Sequence, residues 1–317
     1  MQILRNTVTR PVTGVAFGGR DRILVAGGSG GFDVRNLASE TKTFISSHAV
    51  KYLFGCACDP AGRRMYVSDY LQGFRIVELA SGACLPVPGA NDTHTRSFDL
   101  AHDGKQLLMS RGGYRSNRVE CWSIRPNGFE TIAWTLRNGE PTEPDSWNLV
   151  AEKWTTNDVC LNPAGDTLAT SESRSAVGGD GNPLIVIRQL VDGAVVAELG
   201  NTDTGYSTDL AFAADGQVVY AWDSRTLERW DIKKAKRTHR LLSPGRGSFT
   251  GLAIHPSVVI TIAGDGHARY WQPEDLSPLG ALKCGIGKLH SVAVSRDSKL
   301  IAAGGDKGQV ALWTCDF

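Results

Sequence analysis

Several stretches of the sequence carry residue types that could do chemistry. The glycine-rich "AGGSGGF" at 26–32 has the composition of a phosphate cradle, but a dinucleotide loop needs G-x-G-x-x-G spacing followed by a helix. Neither is present, and the glycines separate two apolar runs, which is hairpin-turn chemistry. "GGDGN" at 178–182 offers one aspartate where a calcium loop needs several alternating oxygen donors. Cys56 and Cys58 alternate to one side of an apolar strand with no His or Cys motif beside them, and the seven cysteines show no CxxC spacing. His255 and His267 stand alone, and no nucleophile or acid is placed by motif beside His94 or His290. Three acids, Asp99, Asp158 and Asp209, sit near the openings of apolar strands and could bring carboxylates together around a metal or small ligand. Such sites normally add further convergent polar groups, which the surrounding small, hydroxylic and apolar residues do not supply. No catalytic residue, metal ligand or cofactor is assigned.

The elements that hold these residues repeat. "VAFGGRDRILVAGG", "CACDPAGRRMYVSD", "FDLAHDGKQLLMSR", "VCLNPAGDTLATS", "LAFAADGQVVYAW", "LAIHPSVVITIAGD" and "VAVSRDSKLIAAGGD" share one grammar of apolar strand, polar turn and second apolar strand. Aligning them equates Phe17, Cys58, Leu100, Leu161, Phe212, Ile254 and Val294 as inward-facing anchors. A third strand follows in each copy, with one slot held by Trp122, Trp230, Trp271 and Trp313, and by Arg35, Val77 and Arg188 in the others. A weaker fourth strand comes next, such as "TKTFISS" or "RTHRLL".

Seven copies of a four-stranded unit with a Trp-Asp pair at Trp230-Asp231 resemble the WD-repeat β-propeller family from end to end. The family's Gly-His survives as His48, His94 and His290, and its turn aspartate as Asp69, Asp223, Asp265 and Asp306. The resemblance implies an all-β, seven-bladed propeller of four-stranded antiparallel blades forming one domain over 1–317. It also implies that these Asp, His and Trp residues, with a strand hydroxyl, lock each blade by hydrogen bonds. In the last copy Ala302 and Ala303 occupy the hydroxyl's place.

Spacing accounts for the ends of the chain. Ordinary copies take 23 or 24 residues from the Trp slot to the next anchor, whereas only four follow Trp313 and seventeen lead to Phe17. The two ends make one interval, so residues near 2–8, "QILRNTV", are expected to pair with "QVALWT" as the outer strand of the last blade. Two intervals are too long. Trp122 to Leu161 takes 39 residues because of "RNGEPTEPDSWNLVAEKW", and Leu161 to Arg188 takes 27 because of "SESRSAVGGDGNP". Both insertions should rise on one face beside the fourth blade.

Pro144-Asp145-Ser146 could cap a short helix in which Trp147, Val150 or Ala151, and Trp154 form one apolar stripe. The stripe either folds down as local core or serves as a docking surface, since Trp, Tyr and Arg dominate binding hot spots. Tyr114, Arg115, Arg118 and Arg174, expected in nearby loops, could rim it. Net charge is +1, with 41% apolar and 21% charged residues, so no global pull toward nucleic acid or anionic lipid exists. No apolar run reaches a membrane-spanning length, and the opening residues lack the apolar core of a signal peptide. The expectation is a cytoplasmic, monomeric, non-enzymatic scaffold binding a protein or peptide partner. The alternative is a metal-dependent or small-ligand enzyme with Asp99, Asp158 and Asp209 at a channel mouth.

Overall fold

The computed structural model describes residues 1–5, 11–19, 22–28, 30–46, 53–69, 73–87, 94–113, 116–125, 128–137, 140–142, 154–174, 183–204, 209–244 and 247–315. Its class is all-β, a seven-bladed β-propeller with no helix among the described residues. Contacts divide the chain into two compact units, Met1–Asn91 with Ser243–Phe317, and Asp92–Leu242.

The first unit opens with β1 (Gln2–Arg5). Its first blade is β2 (Gly14–Gly18), β3 (Ile23–Gly28), β4 (Gly31–Asn36) and β5 (Lys42–Ser46), and its second is β6 (Leu53–Cys58), β7 (Arg64–Asp69), β8 (Gly73–Glu78) and β9 (Cys84–Pro86). The other unit holds three blades. The third contains β10 (His94–Leu100), β11 (Gln106–Gly113), β12 (Ser116–Arg125), β13 (Gly128–Arg137) and a short fifth strand, β14 (Glu140–Thr142). The fourth contains β15 (Trp154–Leu161), β16 (Thr167–Arg174), β17 (Leu184–Gln189) and β18 (Val195–Asn201), and the fifth β19 (Asp209–Phe212), β20 (Val218–Trp222), β21 (Thr226–Asp231) and β22 (Lys236–Leu242). The first unit resumes with the sixth blade, β23 (Phe249–His255), β24 (Val258–Ala263), β25 (His267–Trp271) and β26 (Pro278–Lys283), and ends with β27 (Leu289–Val294), β28 (Leu300–Gly305) and β29 (Gln309–Thr314).

One register recurs in all seven sheets. Each anchor faces an apolar residue of the second strand, which faces the Trp slot of the third: Phe17, Leu24 and Arg35 in the first blade, Phe212, Val219 and Trp230 in the fifth, Val294, Ile301 and Trp313 in the last. A one-residue slip would turn the whole apolar set to the wrong face, so the repeated register is enforced by burial. The slot residues Val77, Trp122, Arg188, Trp230, Trp271 and Trp313 are all buried. Neighbouring blades bury these faces against one another within each unit, as where Ile260 and Ile262 join Ile301, Ala303 and Trp313 in one apolar cluster.

Turn chemistry sets where each strand stops. In "DPAGR" the Asp59 Oδ1 accepts the Arg63 and Arg64 amides, while Gly62 takes φ +68°. A Cβ at Gly62 would lie 2.7 Å from the Gly19 Cα, so glycine is required by conformation and by the close approach of the first blade. The missing strand of the last blade is β1, which pairs with β29 antiparallel in the register Gln2–Leu312, Ile3–Ala311, Leu4–Val310 and Arg5–Gln309. Leu4 packs against the cluster containing Val310 and Leu312.

Candidate partner-binding surface

The Trp slot needs a hydrogen-bond acceptor once its indole N–H is buried. In the sixth blade Trp271 Nε1 donates to Thr261 Oγ1 at 2.8 Å. Where the equivalent second-strand residue is Met109 or Ala221, the acceptor moves to the third strand itself. Trp122 donates to Glu120 at 2.9 Å and Trp230 to Glu228 at 3.1 Å, two residues earlier on the same strand. In the fourth blade Arg188 fills the slot and donates Nε and Nη2 to Glu172, both groups fully buried. Asp306 carries the implied partner, accepting from His290, and that bond holds its carboxyl below the usual range.

One of these buried carboxylates, Glu120, reaches Arg118 of the expected rim. The Glu120 carboxylate forms ion pairs with Arg111, whose Nε is 3.0 Å away, and with Arg118, whose Nε is 2.6 Å away, and the Arg111 guanidinium lies 5.6 Å from the Trp122 ring centre. Arg118 is therefore an interior residue of β12, paired in register with Arg111 and Arg137, and not a loop residue. Arg174 likewise ends β16, opposite Trp154. Trp154 is the first residue of β15, which corrects the expected helical stripe, since that residue is in a strand and not in a helix. Trp147, Tyr114 and Arg115 lie outside the described residues. Part of the first insertion adds an edge strand, β14, to the third blade through Leu136–Pro141 and Arg137–Glu140 pairs. The strands beside the insertions are long: β11, β15 and β16 have eight residues and β12 and β13 ten, against three to seven elsewhere.

The acidic row is structural. Asp99 Oδ2 accepts the Leu161 amide at 2.8 Å and Asp158 Oδ2 the Leu210 amide, so each carboxylate ties its strand to the inner strand of the next blade within the unit. Burial pushes both carboxyls up to about 6, the amide bonds opposing it. Asp209 keeps a solvent-accessible edge, yet enclosure by the surrounding strands, with Asp158 and Asp223 adding, pushes its carboxyl well above the ordinary range. Among the described residues no group of three or more His, Cys, Asp or Glu is placed to hold a metal ion.

Sequence reasoning missed a groove of about 730 Å³ in the first unit, lined by Pro244, Gly247, Ser248, Thr250, Gly264, Asp265, Arg269, Lys288 and His290. Its walls are the connection entering the sixth blade, the β24–β25 turn and the connection entering the seventh. The signal was present as loop cations beside a hydroxyl-bearing "GSFTG", but residues so far apart in sequence are brought together only by blade packing.

Residues 278–314 match the family described as WD domain, G-beta repeat. The matched stretch runs from β26 through β29, so it begins on the outer strand of one blade and ends on the third strand of the next, the phase that leaves β1 to complete the last blade. This match and the seven-bladed architecture support a WD-repeat propeller family. No curated protein matches it at a significant level. WD-repeat propellers are typically protein-interaction scaffolds and generally not enzymes.

Proposed function

We propose that this propeller is a non-enzymatic cytoplasmic scaffold that presents a loop-bearing face of its third and fourth blades to a protein or peptide partner. The strand lengths carry this reading. Extra residues in β11, β12, β15 and β16 lengthen the sheets at the ends from which both insertions leave, with Trp154 and Arg174 in the added outermost rung of the fourth blade. Paired strands are held in fixed geometry, so the rungs beside the insertions offer a partner a surface with little entropy cost of ordering.

The test is affinity capture comparing wild type with a Trp147→Ala, Trp154→Ala double variant of unchanged melting temperature. Loss of specific partners supports the face; an identical set of captured partners places the binding surface elsewhere.

A further inference from the structure

We infer that the groove between the sixth and seventh blades is a second docking site and that its occupant is an acidic peptide segment. The charge balance of its rim points to the partner's sign. Among the lining residues Arg269 and Lys288 stand against one carboxylate, Asp265, which leaves a formal charge of +1 (2 − 1), histidines aside. Two further lysines lie near these residues in the fold, Lys283 opposite His267 in register and Lys307 next to Asp306, which accepts from the lining residue His290.

Both carboxylates are already engaged. Asp265 takes both terminal nitrogens of Arg269 and the His267 amide, and Asp306 takes His290 and the Lys288 amide. Among the described residues no carboxylate lies within ion-pair distance of Lys283, Lys288 or Lys307, and all three are exposed. Exposed ammonium groups outside ion-pair distance of a carboxylate add a positive potential that steers and orients an anionic partner.

The walls suit an extended chain more than a compact ion. Gly247 and Gly264 expose main chain, and a Cβ built on Gly264 meets nothing within 4 Å, so that wall opens directly into the groove. The loop below is fixed by the Ser243 hydroxyl donating to the Gly247 carbonyl and by the Gly264 amide donating to the Ser248 carbonyl at 3.1 Å. Thr250 lines the groove, and its Oγ1 is buried without a hydrogen-bond partner among the described residues. The volume accommodates several residues rather than one phosphate.

The experiment is fluorescence anisotropy with a labelled decaglutamate peptide at low and moderate salt. Wild type should bind, more weakly as salt rises. Gly264→Trp, which fills the groove from a wall with open space, should weaken binding at least tenfold without lowering the melting temperature, and Lys288→Glu should do the same. A Lys283→Glu, Lys307→Glu variant provides the charge test should Lys288→Glu misfold. Lys236→Glu, an exposed reversal on β22, and the Trp147→Ala, Trp154→Ala variant should stay within twofold of wild type, which separates this site from the face proposed above. Wild-type affinity in both Gly264→Trp and the lysine reversals would overturn the inference. So would tighter binding of a ten-residue oligouridylate lost in the same variants, or displacement of the peptide by equimolar inorganic phosphate.

Discussion

Neutralising Asp158 should stabilise this protein. Its side chain is only 7% exposed, and it accepts hydrogen bonds from the Leu210 and Val159 amides and from Ser97. No cation acts on it, and burial outweighs these bonds, carrying the carboxyl from an ordinary 3.8 to about 6. A raised folded-state value means that the fold binds the proton more tightly than the unfolded chain. The associated stability is therefore full below pH 4 and is lost as pH rises through 6. Between pH 7 and pH 5 the folded carboxyl goes from about one-tenth to about nine-tenths protonated while the unfolded one stays ionised, a gain of about 1.3 kcal/mol. Asp99, displaced to about 6 and repelled by Asp158, adds in the same direction. Asp265 and Asp306, held below the usual range, lose stability only as pH falls through their lowered values, outside this window. Urea unfolding followed by tryptophan fluorescence should thus show wild type more stable at pH 5 than at pH 7. Asp158→Asn, which keeps an acceptor for the Leu210 amide, should gain at pH 7 by up to about 3 kcal/mol and show a weaker pH dependence. A variant less stable than wild type at pH 7, or a wild type that loses stability from pH 7 to pH 5, would refute the reasoning.

Glu172→Gln leaves the fully buried Arg188 guanidinium without its counter-charge and should cost about 3–5 kcal/mol in denaturant unfolding, whereas a value under 1 kcal/mol would mean that the pair is solvated. Gly62→Ala combines a left-handed backbone with a Cβ 2.7 Å from the Gly19 Cα, so it should lower stability by more than about 1 kcal/mol. A near-neutral result would place that turn further from the first blade.

The architecture was readable because each blade repeats one burial pattern. Phe17, Cys58, Leu100, Leu161, Phe212, Ile254 and Val294 occupy one register position in their sheets, and the slot residues aligned from sequence, Arg35 and Val77 included, occupy another. Closure by β1 was readable from residue arithmetic alone. The polar interior was not. That Glu120 and Glu228 would accept the indole protons of Trp122 and Trp230 depends on which neighbour lacks a hydroxyl, a property of three strands at once. The stripe through Trp147 and Trp154 failed at Trp154, a strand residue, because i, i+3, i+7 apolar spacing in a short segment does not by itself specify a helix. Arg174 looked like a loop residue because nothing local marks β16 as longer than its counterparts. The Lys288 groove was invisible for a different reason, since its walls come from segments joined only by packing.

Face assignments in every blade follow from the phase of the repeat, and β1 fixes that phase. Hydrogen exchange at Gln309–Thr314 in a variant lacking residues 2–5 tests it most directly. The account predicts that amides of β29 protected in the intact protein become fast-exchanging and that the melting temperature falls. Unchanged protection and an unchanged melting temperature would show that β29 does not depend on the N-terminal strand and would contradict the closure.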